Sequence, residues 1–558
     1  EGFKLTTIVG VVVEVAGPMK AETGGEKGAQ QPPKPFVDGL IGVKNLMFGL
    51  VKEREIGVVQ VRKKHRACQQ HPPALSMRGQ PEQRQTAAHG NGSDEEVEAT
   101  GNRFLAHPGR FWKFRGIPWA YPEARSVKIS FVRPNLGDWR SPDAMEPLAF
   151  AVLKGVTPPD VECELWDEKI EAVPVSLQAD LVALTVETYT ARRAYALADR
   201  FRAQGLKVVA GGYHPTFLPQ EALNHFDAVV CGDAEALWPQ LVRDAAAGRL
   251  ERIYRQPAGG EMRGIRYDRG LFEGKRYGRV TPVQFSRGCR FACDFCSIHA
   301  FYGRSLSHRP VDEVVAEAAC LRSRYVFVVD DNLFVNTDAL RSLLAGLRGC
   351  GLRWGCQISL DVAADEKLLG AMAESGCVAA LIGFESLDGA NLLQMRKKWN
   401  TRHPYREAIA RFHAHGIMIY GSFIFGYDHD DLDVFARTVD FALENRLFLV
   451  NFSALTPTPA SALYTRMEKE KRLLYERWWL DRKYGYGDAV YRPSRLTPEQ
   501  LTEGCRWARS QFYCYSNIAR RVLAPAPGCR SLSHRLISLG ANLTSRRTLD
   551  RKLGRPLG

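Results

Sequence analysis

Three cysteines stand close together in the stretch QFSRGCRFACDFCSIHAFYGR, at Cys289, Cys293 and Cys296, a C-x3-C-x2-C spacing. Thiolates are soft ligands that suit zinc and the iron of iron–sulfur clusters. A four-iron cluster normally takes four cysteines, so three neighbouring ligands leave one iron open to another ligand. The competing reading is a structural zinc site with His299, three residues after Cys296, as the fourth ligand. Compact spacing on one loop suits zinc less well than two separated ligand pairs, and no second pair lies nearby in the sequence.

The loop needs a scaffold. VTPVQFS, YVFVVD, LRWGCQIS, VAALIGFES, MIYGSFIFG and LVNFSAL read as buried strands separated by helical segments. Six such βα units predict a partial (β/α)6 TIM-type barrel over 281–472. Cys289 then follows the first barrel strand, on the carboxyl-end loop where barrel sites are built. VVDDN at 328–332, GFES at 383–386 and FIFG at 423–426 end later strands on the same rim. Taken singly, Asp330 and Asp331 read equally well as helix caps, and Gly426 as a turn.

A second alternation precedes the first. VKISFV, ADLVALTV, LKVVAGG and FDAVVCG read as strands, with ARRAYALADRFRAQG and EALWPQLVRDAAAG as helices. They predict an α/β, doubly wound Rossmann-like domain over 126–250, followed by a linker over 251–280. Residues 1–100, rich in Gly, Pro, Gln and charge, read as a disordered or peripheral extension. Residues 101–125 read as a connecting segment, and 473–558 as a C-terminal helical region with a basic tail.

Bulk composition narrows the class. The chain has 558 residues, 45% apolar and 25% charged, the balance of a multidomain globular protein. No stretch approaches the roughly 20 apolar residues of a membrane-spanning helix; the best early run, TTIVGVVVEV, is broken by Glu14. The amino end does not read as a secretory signal, and the expectation is a cytoplasmic protein. Thirteen cysteines, an odd number spread along the chain, fit reduced thiols rather than a disulfide scaffold. Of the net charge of +14, +8 falls after Ile518, so no nucleic-acid partner is expected from a groove elsewhere.

The segment C-R-F-A-C-D-F-C resembles the cluster motif of the radical S-adenosylmethionine superfamily, and the resemblance extends over about 283–518. It implies a 4Fe-4S cluster on Cys289, Cys293 and Cys296, with S-adenosylmethionine completing the open iron and yielding a 5'-deoxyadenosyl radical on reductive cleavage. It also implies that Phe295 touches the adenine, and that Asp330, Asn332, Glu385, Ser386 and Gly426 border the cofactor. One departure is LTPTPASALY, where similar sequences usually have Gly at the place of Ala460; the expectation is an altered loop geometry more than altered chemistry.

Residues 126–250 resemble the cobalamin-binding domain that precedes the radical domain in one branch of that superfamily. LTVETYT from Leu184, GGYHPTFLPQEAL from Gly211 and CGDAEALWPQL from Cys231 carry the likeness. They imply cobalamin contacts from Thr185, Thr188, Gly211, Gly212, His214, Gly232 and Glu235. On the residues alone, Gly211 and Gly212 equally make a simple turn. Some cobalamin proteins ligate cobalt through D-x-H-x-x-G. The comparable place here, CELWDEKIEA, has Lys169 and Ala172, so the lower cobalt face is expected to carry water or nothing. His214 offers a substitute ligand, although a histidine before Pro215 is more often structural.

Together the resemblances imply that one S-adenosylmethionine methylates cobalt while a second generates the radical that prepares a carbon to accept the methyl group. Hydrogen-atom abstraction requires no acid–base pair, so no catalytic residue is named. The implied partners are a small-molecule or lipid substrate, such as a hopanoid, and an external electron donor. The tail RSLSHRLISLGANLTSRRTLDRKLGR suits peripheral contact with an anionic membrane, although such a segment is more often a solvated helix or a disordered end. The alternatives are a cobalamin-linked radical cyclase or oxidoreductase and a non-catalytic zinc-binding protein. Radical attack on tRNA is weakened by the front domain and by charge confined to the tail.

Overall fold

Strands covered on both faces read as short apolar runs, and two parallel sheets are built from such runs. The computed structural model describes residues 127–558, except 138, 142, 143 and 335 and the side chains of 549 and 550. The expectations for 1–100 and 101–125 lie outside the described residues.

The first sheet holds β1 (Lys128–Arg133), β2 (Glu162–Asp167), β3 (Leu181–Thr185), β4 (Lys207–Gly211), β5 (Ala228–Cys231) and β6 (Ile253–Arg255). Their order is β2-β1-β3-β4-β5-β6 with every neighbouring pair parallel, a doubly wound sheet. Alternation sorts the side chains. Leu181 and Ala183 join Phe131, Phe150 and Trp238 on one face, and Val182 and Leu184 meet Leu197 and Phe201 of helix Ala191–Ala203 on the other. Two strands were not foreseen. β2 is an edge strand whose Glu162 and Glu164 lie 3.3 and 3.1 Å from Lys128 Nζ, and β6 falls within the segment expected to be a linker.

The second sheet begins at β7 (Thr281–Val283). A small antiparallel pair, β8 (Ser286–Arg287) and β9 (Ser307–His308), follows it. The sheet continues through β10 (Tyr325–Val328), β11 (Arg353–Gln357), β12 (Cys377–Glu385), β13 (Met418–Phe425) and β14 (Leu449–Ala454). The order β14-β13-β12-β11-β10-β7, all parallel, makes an open six-stranded partial barrel, as expected. Phe384, Phe423 and Phe452 stack through its core, with successive centroids 5.4 and 6.0 Å apart.

The C-terminal region closes the seam between the sheets. Trp478 packs 5.0 Å from Tyr189, and Trp479 Nε1 donates to Glu221 at 2.9 Å. Helices Pro498–Phe512, Tyr515–Leu523 and Leu532–Lys552 follow. Among the described residues no helix is long and apolar enough to cross a membrane.

Ala460 has φ +64, a left-handed conformation suited to glycine. The departure from the family pattern therefore strains the loop, by about 1 kcal/mol. Ala460→Gly is expected to raise stability by up to about 1 kcal/mol, after the extra chain entropy of glycine is offset, read as a higher urea midpoint. His413 is buried without a partner for Nε2, and burial, with Arg446 adding to it, pushes its imidazole down to about 4. The unfolded chain takes up this proton first, so stability is full above about pH 6.5 and is lost as pH falls from there through about 4. The loss amounts to about 3 kcal/mol. His413→Leu is expected to flatten that slope in urea titrations across the same window.

Candidate active site

The cysteine loop leaves the barrel at a braced neck. Asp330, with no exposure, accepts hydrogen bonds from Phe285 N (2.8 Å), Ser286 N (2.7 Å) and Ser286 Oγ (2.5 Å). Gly288, at φ +86, donates its N–H to Asp331 Oδ2 at 2.9 Å. The far side of the loop is pinned by Tyr427 Oη, which donates to Asp294 Oδ1 at 2.7 Å, and by Leu463 N, which donates to Asp294 O at 2.9 Å. Cys296 then stands immediately before helix Ser297–Tyr302.

Cys289, Cys293 and Cys296 open onto a cavity of about 270 Å³ inside the barrel rim. Among the described residues no three His, Cys, Asp or Glu side chains converge where one metal ion could bind them all. The Cys293 thiol is near enough to Cys289 and Cys296 for each to raise its pKa, and three thiols gathered at one cavity can hold three irons of a cluster and leave the fourth open. His299 Nδ1 instead donates to Gly303 O at 2.9 Å. Burial pushes the Cys293 thiol well up, so its thiolate calls for cationic company. The residues fit a cluster.

Around the same cavity stand Phe295, Asn332, Ser359, Glu385, Lys397, Trp399 and Asn400. Asn332 Nδ2 lies 3.7 Å from Cys289 Sγ. Lys397 Nζ donates to Glu385 Oε1 at 2.6 Å, and both side chains are buried. Burial alone would lower the Lys397 ammonium, but Glu385 and Cys293 outweigh it and hold it above its ordinary value. Asn400 Oδ1 and Trp399 Nε1 are buried without partners. Orphaned polar atoms beside an ion pair fit a polar cofactor such as S-adenosylmethionine. The opposite wall is neutral, made of Tyr189, Tyr420, Ser422, Asn451 and Ser453.

A second cavity, of about 330 Å³, lies at the carboxyl ends of β3, β4 and β5. Thr185, Gly211, Gly212, Gly232 and Glu235 line it, facing Gln284, Arg287 and Tyr302 from the barrel. A Cβ on Gly211 would meet nothing nearer than 3.9 Å, so this glycine opens space rather than relieving a clash. The strand-end position and open floor fit a large cofactor such as cobalamin.

Five expected site residues do not line these cavities. Asp330 is the neck brace, and Asp331 lines the barrel cavity in its place. Ser386 Oγ accepts from Asp388 N at 3.0 Å within its own turn. Gly426, at φ +109, donates to Asp430 at 2.8 Å. Thr188 is buried. His214 is fully buried, with Nε2 2.8 Å from Tyr195 Oη and 3.1 Å from Glu221 Oε1, so its ring holds the helix after β4 rather than facing the cavity. CELWDEKIEA forms β2 and its end, at the edge of the sheet away from β3–β5.

Lys397, Trp399 and Asn400 were missed because MRKKWNTR reads as a charged surface turn. Tyr420 with Ser422 on β13, and Asn451 with Ser453 on β14, did carry a signal. Polar residues at period two in an otherwise apolar barrel strand point inward.

A partial barrel with three cysteines at its cavity and a doubly wound domain with a cavity of its own fit an enzyme that holds an iron–sulfur cluster and a second, large cofactor. The profile described as Radical SAM superfamily matches residues 283–442, and that described as B12 binding domain matches 150–242. Bacteriochlorophyllide d C-12(1)-methyltransferase of Chlorobaculum tepidum is 31% identical over 354 residues, covering 62% of this chain and 76% of its own. Bacteriochlorophyllide d C-8(2)-methyltransferase of the same organism is 29% identical over 396 residues, covering 67% and 87%. The cobalamin-dependent S-adenosylmethionine radical enzyme OxsB, solved with aqua-cobalamin and S-adenosylmethionine, shares the fold at TM-score 0.55 and 13% identity, over 77% of this chain and 75% of its own. The chain belongs to the cobalamin-binding radical S-adenosylmethionine enzymes.

Removing one partner of a buried pair leaves an uncompensated charge. Lys397→Met is expected to destabilise the chain by about 3–5 kcal/mol in urea unfolding. Adding Glu385→Gln should restore most of that loss; if the double variant is no more stable than the single one, the two groups are not a pair.

Proposed function

We propose that the enzyme transfers a methyl group to an unactivated carbon of a small molecule or lipid. The observation that carries this reading is that the two cavities share their walls. The segment after β3 lines the front cavity with Glu187 and the barrel cavity with Tyr189, while the segment after β7 lines the first with Arg287 and the second with Cys289. Both bacteriochlorophyllide relatives are methyltransferases by name. When bound, S-adenosylmethionine at the cluster supplies radical chemistry and cobalamin a transferable methyl group.

The chain's own residues bind and orient. Cys289, Cys293 and Cys296 would hold the cluster, with Phe295, Asn332 and Glu385 beside S-adenosylmethionine. Thr185, Gly211, Gly212, Gly232 and Glu235 would border cobalamin. Tyr420, Ser422, Asn451 and Ser453 orient the acceptor by hydrogen bonds, and the aromatic packing of Trp478 and Tyr486 behind Tyr189 excludes water. Electrons would come from an external donor.

The test begins with iron, sulfide, zinc and cobalt analysis after anaerobic purification with hydroxocobalamin. The loaded enzyme is then given S-adenosylmethionine, a low-potential reductant and bacteriochlorophyllide d or a hopanoid as probe acceptors. Iron, sulfide and cobalt should be retained together, and S-adenosylhomocysteine should form alongside 5'-deoxyadenosine. 5'-Deoxyadenosine without S-adenosylhomocysteine would point to a cyclase or oxidoreductase, and zinc in place of iron would sink the radical reading.

A further inference from the structure

The helix Leu532–Lys552 is inside out. The face turned to the body carries Ser538, Ala541, Asn542, Ser545 and Thr548, all buried. Asn542 and Ser545 find their partners locally, Ser545 Oγ donating to Ala541 O at 2.8 Å. Arg521, itself buried, donates to Asn542 Oδ1 at 2.6 Å and to Phe512 O at 2.8 Å, and Asn542 Nδ2 donates to Phe448 O at 3.0 Å. The opposite face carries Leu532, Leu536 and Leu539, 64%, 57% and 37% exposed, with Leu543 half-buried in line. Spacings of four, three and four residues put these leucines on one stripe.

Arginines flank the stripe. Arg535 lies on one side and Arg547 on the other; Arg546 is also on the first side, but its Nη1 donates to Tyr513 O at 2.8 Å and its guanidinium lies 4.5 Å from the ring centre of Tyr515, itself 67% exposed. Between Glu503 and Asp550 the sequence has no carboxylate side chain, yet it holds eight arginines. From Leu532 to Leu543 the charged residues flanking the stripe are cations, and the sequence places a carboxylate, Asp550, only at its far end; such a stripe selects among occupants. A second copy would oppose arginine to arginine along the flanks, and a nucleic acid would leave the leucines in water. A surface that is anionic at the rim and apolar below satisfies both groups.

We propose that this helix is a peripheral docking face for anionic lipid membranes, with the leucine stripe entering the headgroup boundary and the arginines meeting lipid phosphates. The inference is independent of the reaction catalysed. No part of the face belongs to the cavities, so the enzyme keeps its cofactors whether or not it is docked.

The test is co-sedimentation of the full-length, cofactor-loaded enzyme with vesicles of phosphatidylcholine plus phosphatidylglycerol, against phosphatidylcholine alone. Binding should require phosphatidylglycerol and weaken with salt. Arg535→Gln with Arg547→Gln should weaken it about fivefold per arginine. Leu536→Ser with Leu539→Ser should weaken it about tenfold per leucine. Both pairs should leave the iron content and thermal midpoint unchanged. Absence of vesicle binding, or binding indifferent to both pairs, overturns the proposal. A dimer in sedimentation velocity that the leucine substitutions abolish also overturns it, assigning the stripe to a second copy.

Discussion

The carboxylate of Asp330 holds the neck on which the rest of the site depends. Burial pushes this group up to about 7, while its three hydrogen-bond donors pull the other way. β7 is only three residues long and could not by itself fix the direction of the chain beyond it. Two backbone N–H groups clamped to one side chain do so. The chain then pairs as β8 with β9, closing the loop at Arg287 and Ser307, and Cys289 emerges at the rim with its spacing to Cys293 and Cys296 already constrained.

The same neck ties the two sheets together. Arg287 is buried 3.3 Å from Asp233 and in contact with Glu235, both on the loop after β5, and Asp233 in turn accepts from Gly259 N at 2.7 Å. A buried guanidinium loses hydration, and two carboxylates with fixed geometry offset that loss. An ion cluster of this kind is specific in register. Apolar packing at the seam, through Trp478 and Tyr189, supplies area but tolerates sliding; Arg287 does not. The wall shared by the two cavities is therefore held by charge and filled by aromatic surface.

Much of this was legible in the sequence, for physical reasons. Buried parallel strands are continuous apolar runs, so ten of the strands could be read directly, and the cysteine spacing announced its own chemistry. β2 hid because an edge strand exposes its flank and carries Glu162 and Glu164, and β6 because three residues are too few to show a period. VVDDN could not say which aspartate faces the cavity. Neighbouring residues at a strand end point to opposite sides, so Asp330 went inward as a brace and Asp331 lined the site. His214 and Lys397 were beyond reach for another reason. Their roles are set by Glu221 and Glu385, partners that only the folded chain brings into contact.

Glu385 shows how the cofactor side of the site is made. The register between β12 and β13 shifts between Gly383 and Glu385, and Glu385 adopts φ +66, which costs a non-glycine residue about 1–2 kcal/mol. A Cβ on Gly383 would sit 2.1 Å from Glu385 Oε1 and 2.8 Å from Lys397 Nζ, so glycine is what leaves room for the ion pair. The bulge turns the carboxylate inward, and Lys397 balances its charge. Asp331, Glu385 and Lys397 thus stand with the cysteines, while β13 and β14 present no charged group, only Tyr420, Ser422, Asn451 and Ser453 with the apolar Ile424 and Ala454. Proton transfer needs a group of matched acidity against the substrate, whereas removal of a hydrogen atom depends on position and bond strength. A wall without charge is then no deficiency: it can hold an unactivated carbon in place without a charged group beside it.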